Sequence, residues 1–292
     1  MRQIVIVGAG ECGARAAFAL REKGFDGEIT LIGAEPLLPY ERPPLSKDGL
    51  AAAAAPKFVA APERYREAKI AVLTGTAVEA IGRARKTVTL SDGRSFAYDR
   101  LLLATGARPR ALPGMPGNSA RIRMLRTHAD ALTIRAALAP GLKLAIIGGG
   151  FIGLELAATA RRLGAEVVLV EGQPRILSRG VPEEIAAVVA ERHRQEGVEI
   201  ICGAGIAAIE EGADGASLLL AVGGRIDADL VVVGVGAVPN SELAEAAGLM
   251  IDNGIAVDER LCTSDPDILA AGDCCSKPGA MRRTRGRSPR PT

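Results

Sequence analysis

Glycines at one spacing occur twice in the chain, in Gly8-Ala9-Gly10-Glu11-Cys12-Gly13 and in Gly148-Gly149-Gly150-Phe151-Ile152-Gly153. Three glycines so placed suit one task. The first allows a tight turn, the second lets backbone N–H groups approach a pyrophosphate, and the third lets helix pack on strand. A helix starting there adds partial positive charge toward the phosphates. Gly8, Gly10 and Gly13, then Gly148, Gly150 and Gly153, are the candidate residues, with Cys12 and Ile152 at the matching fifth positions. One such run is weak evidence. Two imply two dinucleotides on one chain, and two dinucleotides suggest redox transfer between them.

A dinucleotide site also needs an acid about twenty residues on, to receive the ribose hydroxyls. The run Glu166-Val167-Val168-Leu169-Val170 ends in Glu171. A carboxylate there accepts hydrogen bonds from a 2′-hydroxyl and repels a 2′-phosphate, which favours NADH over NADPH. Arg175 lies close by in sequence and softens that preference. After the first fingerprint, Ile29-Thr30-Leu31-Ile32 runs into Gly33-Ala34-Glu35, so the acid falls slightly late, at Glu35.

The elements that must hold these residues are legible around them. Each fingerprint follows an apolar run, Gln3–Val7 and Lys143–Ile147, and so reads as strand, glycine turn and helix start. The repeat goes further. Asp99-Arg100-Leu101-Leu102-Leu103-Ala104-Thr105-Gly106-Ala107-Arg108-Pro109 aligns without gaps on Asp229-Leu230-Val231-Val232-Val233-Gly234-Val235-Gly236-Ala237-Val238-Pro239. Both read as a buried strand running into a glycine exit. Before each lies a short-strand region with a tight turn, at Asp92-Gly93-Arg94 and Gly223-Gly224-Arg225. The order in both halves is Rossmann unit, β-meander, buried strand, glycine exit. Residues 108–117, rich in Pro and Gly, read as a crossover. Helices are expected over 127–139 with Thr127 as N-cap, over 154–163 ended by Gly164, and over 182–195 with Pro182 in the first turn. The fold class is therefore α/β, with two Rossmann-like dinucleotide-binding domains.

With 292 residues the chain has room for two modest domains, and 48% apolar against 24% charged residues is ordinary for a globular protein. No segment reads as a membrane span or a secretory signal. Five cysteines without a framework spacing point to a reduced, cytoplasmic setting. The net charge of +2 hides an asymmetry: residues 277–292 carry six Lys and Arg and no acid, so the remainder is +2 − 6 = −4. A nucleic-acid surface on the folded part is not indicated.

Two further segments carry a family resemblance, Pro39-Tyr40-Glu41-Arg42-Pro43-Pro44-Leu45-Ser46-Lys47 and Asp267-Ile268-Leu269-Ala270-Ala271-Gly272-Asp273. With them the chain, from residue 1 to about 275, resembles the FAD-dependent ferredoxin reductases of bacterial oxygenase systems, within the wider glutathione-reductase-like FAD/NAD(P)-binding fold. The resemblance implies FAD at Gly8, Gly10 and Gly13 and NAD at the second fingerprint. It implies that Arg42 and Lys47 lie over the phosphates and flavin ring. Thr105 and Gly106 close over the cofactor, Arg126 reaches back to it, and Gly272 and Asp273 meet the ribityl chain. Gly236 is the matching exit on the NAD side. Glu155, facing the nicotinamide, is expected to pair with Lys47, and these two are the implied catalytic residues. By themselves a surface lysine, a helix-face glutamate and a turn aspartate would read as structural.

The reaction so implied is hydride transfer from NADH to flavin N5, then single electrons to a [2Fe–2S] ferredoxin serving an oxygenase. Neither a metal nor His128 or His193 is needed. Disulfide reductases of this fold carry a Cys pair after the first Rossmann unit, and NADH oxidases and peroxidases a single Cys. Here no cysteine lies between Cys12 and Cys202, and the Arg42–Lys47 segment stands in that place. Cys202 reads as core, and adjacent Cys274-Cys275 makes a poor disulfide or metal site. One departure is at the FAD ribose, where Ala34 stands at the family's acid position and Glu35 follows.

The family pattern stops at Asp273. Its members continue into a helix and a third, interface domain, whereas this sequence continues into a basic, Pro- and Arg-rich tail of disordered composition. The expectation is a chain cut or frameshifted there, without the C-terminal interface domain. Expected domains are 1–112 (FAD, first part), 113–238 (NAD), 239–275 (FAD, return segment) and 276–292 (tail). Three functions stand: a ferredoxin reductase, a non-catalytic FAD/NAD-binding fragment, and a flavin oxidoreductase acting on a small molecule or oxygen.

Overall fold

A computed structural model describes residues 2–52, 55–115 and 119–276. The basic tail from 277, residues 53 and 54 of the alanine run, and 116–118 at the end of the crossover lie outside the described residues. The chain forms two compact units. The first comprises the described parts of Met1–Glu41, Lys57–Arg108 and Val238–Thr292, and the second Arg42–Pro56 and Pro109–Ala237. The sequence reading runs the first part unbroken to 112, whereas packing assigns Arg42–Pro56 to the second unit.

In the first unit five parallel strands form one sheet, in the order Ile268–Ala270, Arg100–Leu103, Gln3–Val7, Glu28–Ile32, Ile70–Leu73. Both faces are covered, so its strands are near-continuous apolar runs. Side chains alternate between the faces. Val5 and Val7 pack with Leu101, Leu103 and Ile268 and with Val88 and Leu90 of an antiparallel meander (Val78–Gly82, Thr87–Leu90, Ser95–Ala97). Ile6 and Leu31 pack on the other face with Ala14 and Ala17 of the helix Glu11–Glu22. Alanines there let helix and sheet approach closely.

The second unit repeats the plan. Its sheet runs Val198–Cys202, Glu166–Glu171, Lys143–Ile147, Leu230–Val233, Ile122–Met124, all parallel. A second meander (Ile206–Glu211, Ala216–Leu220, Arg225–Ala228) contributes Leu218 and Ala228 to the core formed with Ala145, Ile147 and Val231. The turn glycines Gly93 (φ 84°) and Gly223 (φ 88°) lie in the two meander turns, as the sequence predicts.

The helix after the second fingerprint spans Phe151–Arg162, with Gly150 as its N-cap, and starts three residues before the expected Leu154. The fingerprint's own residues form its first turn. The helix His128–Ala137 has the expected Thr127 cap, and Asp130 completes a reciprocal capping box. The helix Glu183–Gln195 follows Pro182, which serves as its N-cap. No helix among the described residues is long and apolar enough to cross a membrane.

Candidate functional sites at the two sheet edges

The first fingerprint lies where the first sheet's strands end. Gly8 has φ 116°, and a Cβ there would stand 2.0 Å from the Ala104 carbonyl oxygen, so only glycine fits. A Cβ at Gly13 would stand 2.1 Å from the Gly8 carbonyl oxygen, the contact that brings helix onto strand. Gly10 is different. Its φ of −92° suits any residue, and a Cβ would meet no atom of the described residues within 4 Å beyond its own chain neighbours. The protein alone gives no reason for glycine there, whereas close approach of a phosphate to the helix N-terminus does.

The other expected residues of the first unit gather at this edge. A Cβ on Gly8 would approach Thr105 N to 3.0 Å. A Cβ on Gly272 (φ 81°) would stand 3.2 Å from Cys12 Sγ. Burial pushes the Cys12 thiol up, and the neighbouring Cys274, Cys275 and Asp273 add to that. Asp273 is exposed in the short 3-10 turn Gly272–Cys274. Thr105 Oγ1 donates to the Asn240 carbonyl (2.6 Å), and Asn240 Nδ2 donates to the Thr105 carbonyl (2.9 Å). Asn240 N–H also donates to the carbonyl of Gly106 (φ 70°). Sequence reasoning missed Asn240, because its role depends on a partner distant in the chain. Glu35 is half-buried and accepts from Tyr40 Oη (2.5 Å), while Ala34 is exposed. Cys274 and Cys275 are both free thiols, donating to the carbonyls of Ala271 (3.2 Å) and Gly272 (3.1 Å).

In the second unit the matching edge holds a cleft of about 390 Å³, lined among others by Gly148, Gly150, Phe151, Glu171, Arg179 and Gly236. Gly148 (φ 111°) and Gly153 repeat the constraints of Gly8 and Gly13, and a Cβ at Gly150 again meets nothing within 4 Å. Ile152 is 51% exposed in the helix's first turn. Glu171 ends its strand as expected. Its Oε2 accepts from Gly149 N–H (2.7 Å) and its Oε1 from Gln173 N–H (2.8 Å), which holds the carboxylate against the glycine turn. Each oxygen keeps a lone pair for a hydroxyl. The arginine in the cleft is Arg179, not Arg175, whose guanidinium donates instead to the Ile176 carbonyl (3.3 Å). Glu171 also stands in register opposite Cys202, a half-buried thiol that burial and this carboxylate push up.

The second unit also holds the Arg42–Lys47 segment. Arg42 Nη1 donates to the Arg126 carbonyl (2.6 Å), so these two arginines lie together. Lys47 Nζ pairs with Glu155 Oε1 at 2.9 Å, as expected. Ser46 Oγ donates to Glu155 Oε2 (2.6 Å), and Thr159 Oγ1 donates to the Ser46 carbonyl (2.9 Å). Ser46 lies within the family segment but has no role implied there, and Thr159 is not marked by the sequence, since a buried hydroxyl has no pattern of its own.

Both edges thus offer what a dinucleotide needs: a positive helix N-terminus, an open second glycine, and backbone free to approach a ligand. The model of the family described as pyridine nucleotide–disulphide oxidoreductase matches residues 2–287. Putidaredoxin reductase of Pseudomonas putida is 45% identical over 279 residues, covering 93% of this chain and 66% of that protein. The ferredoxin–NAD(+) reductase component of the p-cumate 2,3-dioxygenase system, also from Pseudomonas putida, is 44% identical over 277 residues, covering 94% of this chain and 68% of its own length. The crystal structure of a covalent putidaredoxin reductase–putidaredoxin complex matches with a TM-score of 0.90 at 44% identity, covering 94% of this chain and 68% of that one. The chain spans about two thirds of the length of these relatives.

Proposed function

The chain belongs to the pyridine nucleotide–disulphide oxidoreductase family, in the branch of the oxygenase-system ferredoxin reductases, and from that premise we propose that it moves electrons from NADH through FAD to a [2Fe–2S] ferredoxin, and through that carrier to an oxygenase. One observation carries the reading. In two separate units the second glycine of a fingerprint opens onto free space where the protein itself has no need of glycine. When bound, FAD supplies the change from two-electron to one-electron transfer that a ferredoxin requires.

The chain's own residues bind and orient. Gly8, Gly10 and Gly13 take the FAD pyrophosphate, with Cys12 beside them and Glu35 at the ribose. Thr105, Gly106, Gly272 and Asp273 hold the rest of the cofactor, and Arg42 and Arg126 balance phosphate charge. Gly148, Gly150, Ile152 and Gly153 take the NADH pyrophosphate, Glu171 accepts from its ribose hydroxyls, and Gly236 lines its seat. Lys47 would be a hydrogen-bond donor toward the flavin ring, and Glu155 holds its ammonium, at 2.9 Å. The lack of any cysteine between Cys12 and Cys202 argues against a thiol relay. The proposed setting is the cytoplasm, where all five cysteines remain thiols.

The test is purification with FAD. The expected result is a yellow protein whose flavin absorbance NADH bleaches faster than NADPH, and which then reduces an added [2Fe–2S] ferredoxin. A protein that stays colourless with excess FAD refutes the reading. A flavoprotein that reduces oxygen or a quinone but no ferredoxin replaces it with the small-molecule alternative.

A further inference from the structure

One buried serine connects the two side chains assigned to the chemistry. Ser46 ends the 3-10 turn Pro43–Ser46 and is 5% exposed. Its hydroxyl has one proton to give. The acceptors in reach are Glu155 Oε2 at 2.6 Å and the Pro43 carbonyl at 3.5 Å, so the carboxylate takes it. A short bond from a hydroxyl to a charged oxygen is among the stronger ones. The serine is itself fixed. Its carbonyl accepts from Thr159 Oγ1 at 2.9 Å, and Thr159 is 1% exposed. Glu155 and Thr159 are four residues apart on the helix Phe151–Arg162 and so share a face. Ser46 is therefore held at its backbone by one turn of that helix and holds the other turn by its side chain.

The ion pair cannot do this alone. The Lys47 and Glu155 side chains are 46% and 30% exposed. Partly exposed pairs gain little and lose rotamer freedom in forming. Among the described residues, the one further acceptor for Lys47 Nζ is the Pro43 carbonyl, at 3.3 Å. With Oε2 occupied by Ser46, the carboxylate turns Oε1 to one direction, where Lys47 Nζ meets it. We propose that Ser46 is the positioning residue of the Lys47–Glu155 pair, fixing the carboxylate so that the ammonium is presented in one place. The functional weight of this inference rests on the role proposed above for Lys47 and Glu155, but the positioning concerns the second unit's own residues.

The experiment is competitive acetylation of the lysine amines in the purified full chain without nucleotide, read for Lys47 by mass spectrometry. Ser46→Ala frees Glu155 to turn into solvent and should raise the relative rate at Lys47 about threefold, the size a partly exposed ion pair carries. Ser46→Thr, which keeps the hydroxyl, should restore the wild-type rate. Ser46→Cys, a near-isostere with a weak donor, should repeat the rise if the alanine variant folds poorly. An unchanged or lower rate in the folded Ala or Cys variant overturns the proposal. Reduction of the FAD-loaded protein by NADH, followed by stopped flow in K47M and E155Q, tests the underlying role separately. If both reduce at the wild-type rate, the catalytic reading of the pair falls, while the acetylation result still decides the positioning.

Discussion

Gly10→Val separates ligand binding from folding. Gly10 sits at φ −92° and ψ −172°, extended backbone in which a β-branched residue is at home. A Cβ there meets no atom of the described residues within 4 Å beyond its own chain neighbours. Losing glycine at an N-cap costs about 1 kcal/mol, and the stiffer unfolded chain returns about 0.4–1 kcal/mol, so apoprotein stability should change by less than about 1 kcal/mol. The same side chain would fill the approach of a pyrophosphate to the helix N-terminus. Hydrogen bonds to charged groups contribute about 1.5–3 kcal/mol each, and losing two weakens FAD binding roughly 10²- to 10⁴-fold. Gly13→Ala is the contrasting variant. Its Cβ would stand 2.1 Å from the Gly8 carbonyl oxygen and 3.1 Å from Leu31 Cδ1, so backbone must move, at a cost of about 1–3 kcal/mol or more to the apoprotein. Urea denaturation without FAD and flavin fluorescence titration read the two quantities. A Gly10→Val protein that binds FAD within tenfold of wild type refutes the idea that this glycine is kept for a ligand. Loss of apoprotein stability as large as in Gly13→Ala refutes it as well.

Glu171→Ala should weaken NADH binding by at least about tenfold and narrow its preference over NADPH, because a carboxylate that repels a 2′-phosphate is gone. Dissociation constants for both nucleotides check this, and an unchanged ratio shows that Glu171 is not the ribose acid. Tyr65 Oη is buried and has no hydrogen-bond partner among the described residues, so Tyr65→Phe should stabilise the chain by about 1 kcal/mol in chemical denaturation. Burial pushes the Tyr65 phenol from 10 up to about 12. The folded state therefore keeps a proton that the unfolded state gives up between those values, and wild-type stability should fall across that window with a steepness Tyr65→Phe lacks. The Cys12 thiol, raised chiefly by burial, should alkylate at pH 8 more slowly than a free cysteine, and more slowly still with FAD present. A rate equal to that of a free thiol, read by mass spectrometry, would contradict that placement.

Local constraints were the legible ones. The turns at Gly8 and Gly148 demand positive φ whatever surrounds them, and so they stand in the sequence as glycine. Glu171 was found by counting along a strand, and Thr127 by the capping preference of a hydroxyl before a helix. The Lys47–Glu155 pair came from family resemblance, since nothing local links two residues so far apart. Tertiary partners were not legible. Ser46, Thr159 and Asn240 are small polar residues whose roles exist only once distant segments meet. The three-residue strand Ile122–Met124 and the four-residue Ile70–Leu73 are too short for a period to emerge. Arg175 stands out by its nearness to Glu171 in sequence, but distance in sequence does not say which side of a loop faces a cleft, and it is Arg179 that lines it. The grouping of Arg42–Pro56 with the second unit escaped for a similar reason, its ties being to Arg126, Arg135 and Glu155.

The first unit's three-piece construction has a consequence for synthesis on the ribosome. Its edge strand Ile268–Ala270 pairs with Arg100–Leu103 across more than half the chain's length. The second unit's sheet lies wholly within residues 122–233 and is complete while the first still waits. On a nascent chain every strand of the second sheet is therefore available before the last strand of the first. During the wait, the outer edge of Arg100–Leu103 offers unpaired N–H and C=O groups to any passing strand. Slow translation beyond Ala237 lengthens that exposure, so the speed of the codons after the second unit becomes a lever on the yield of folded chain.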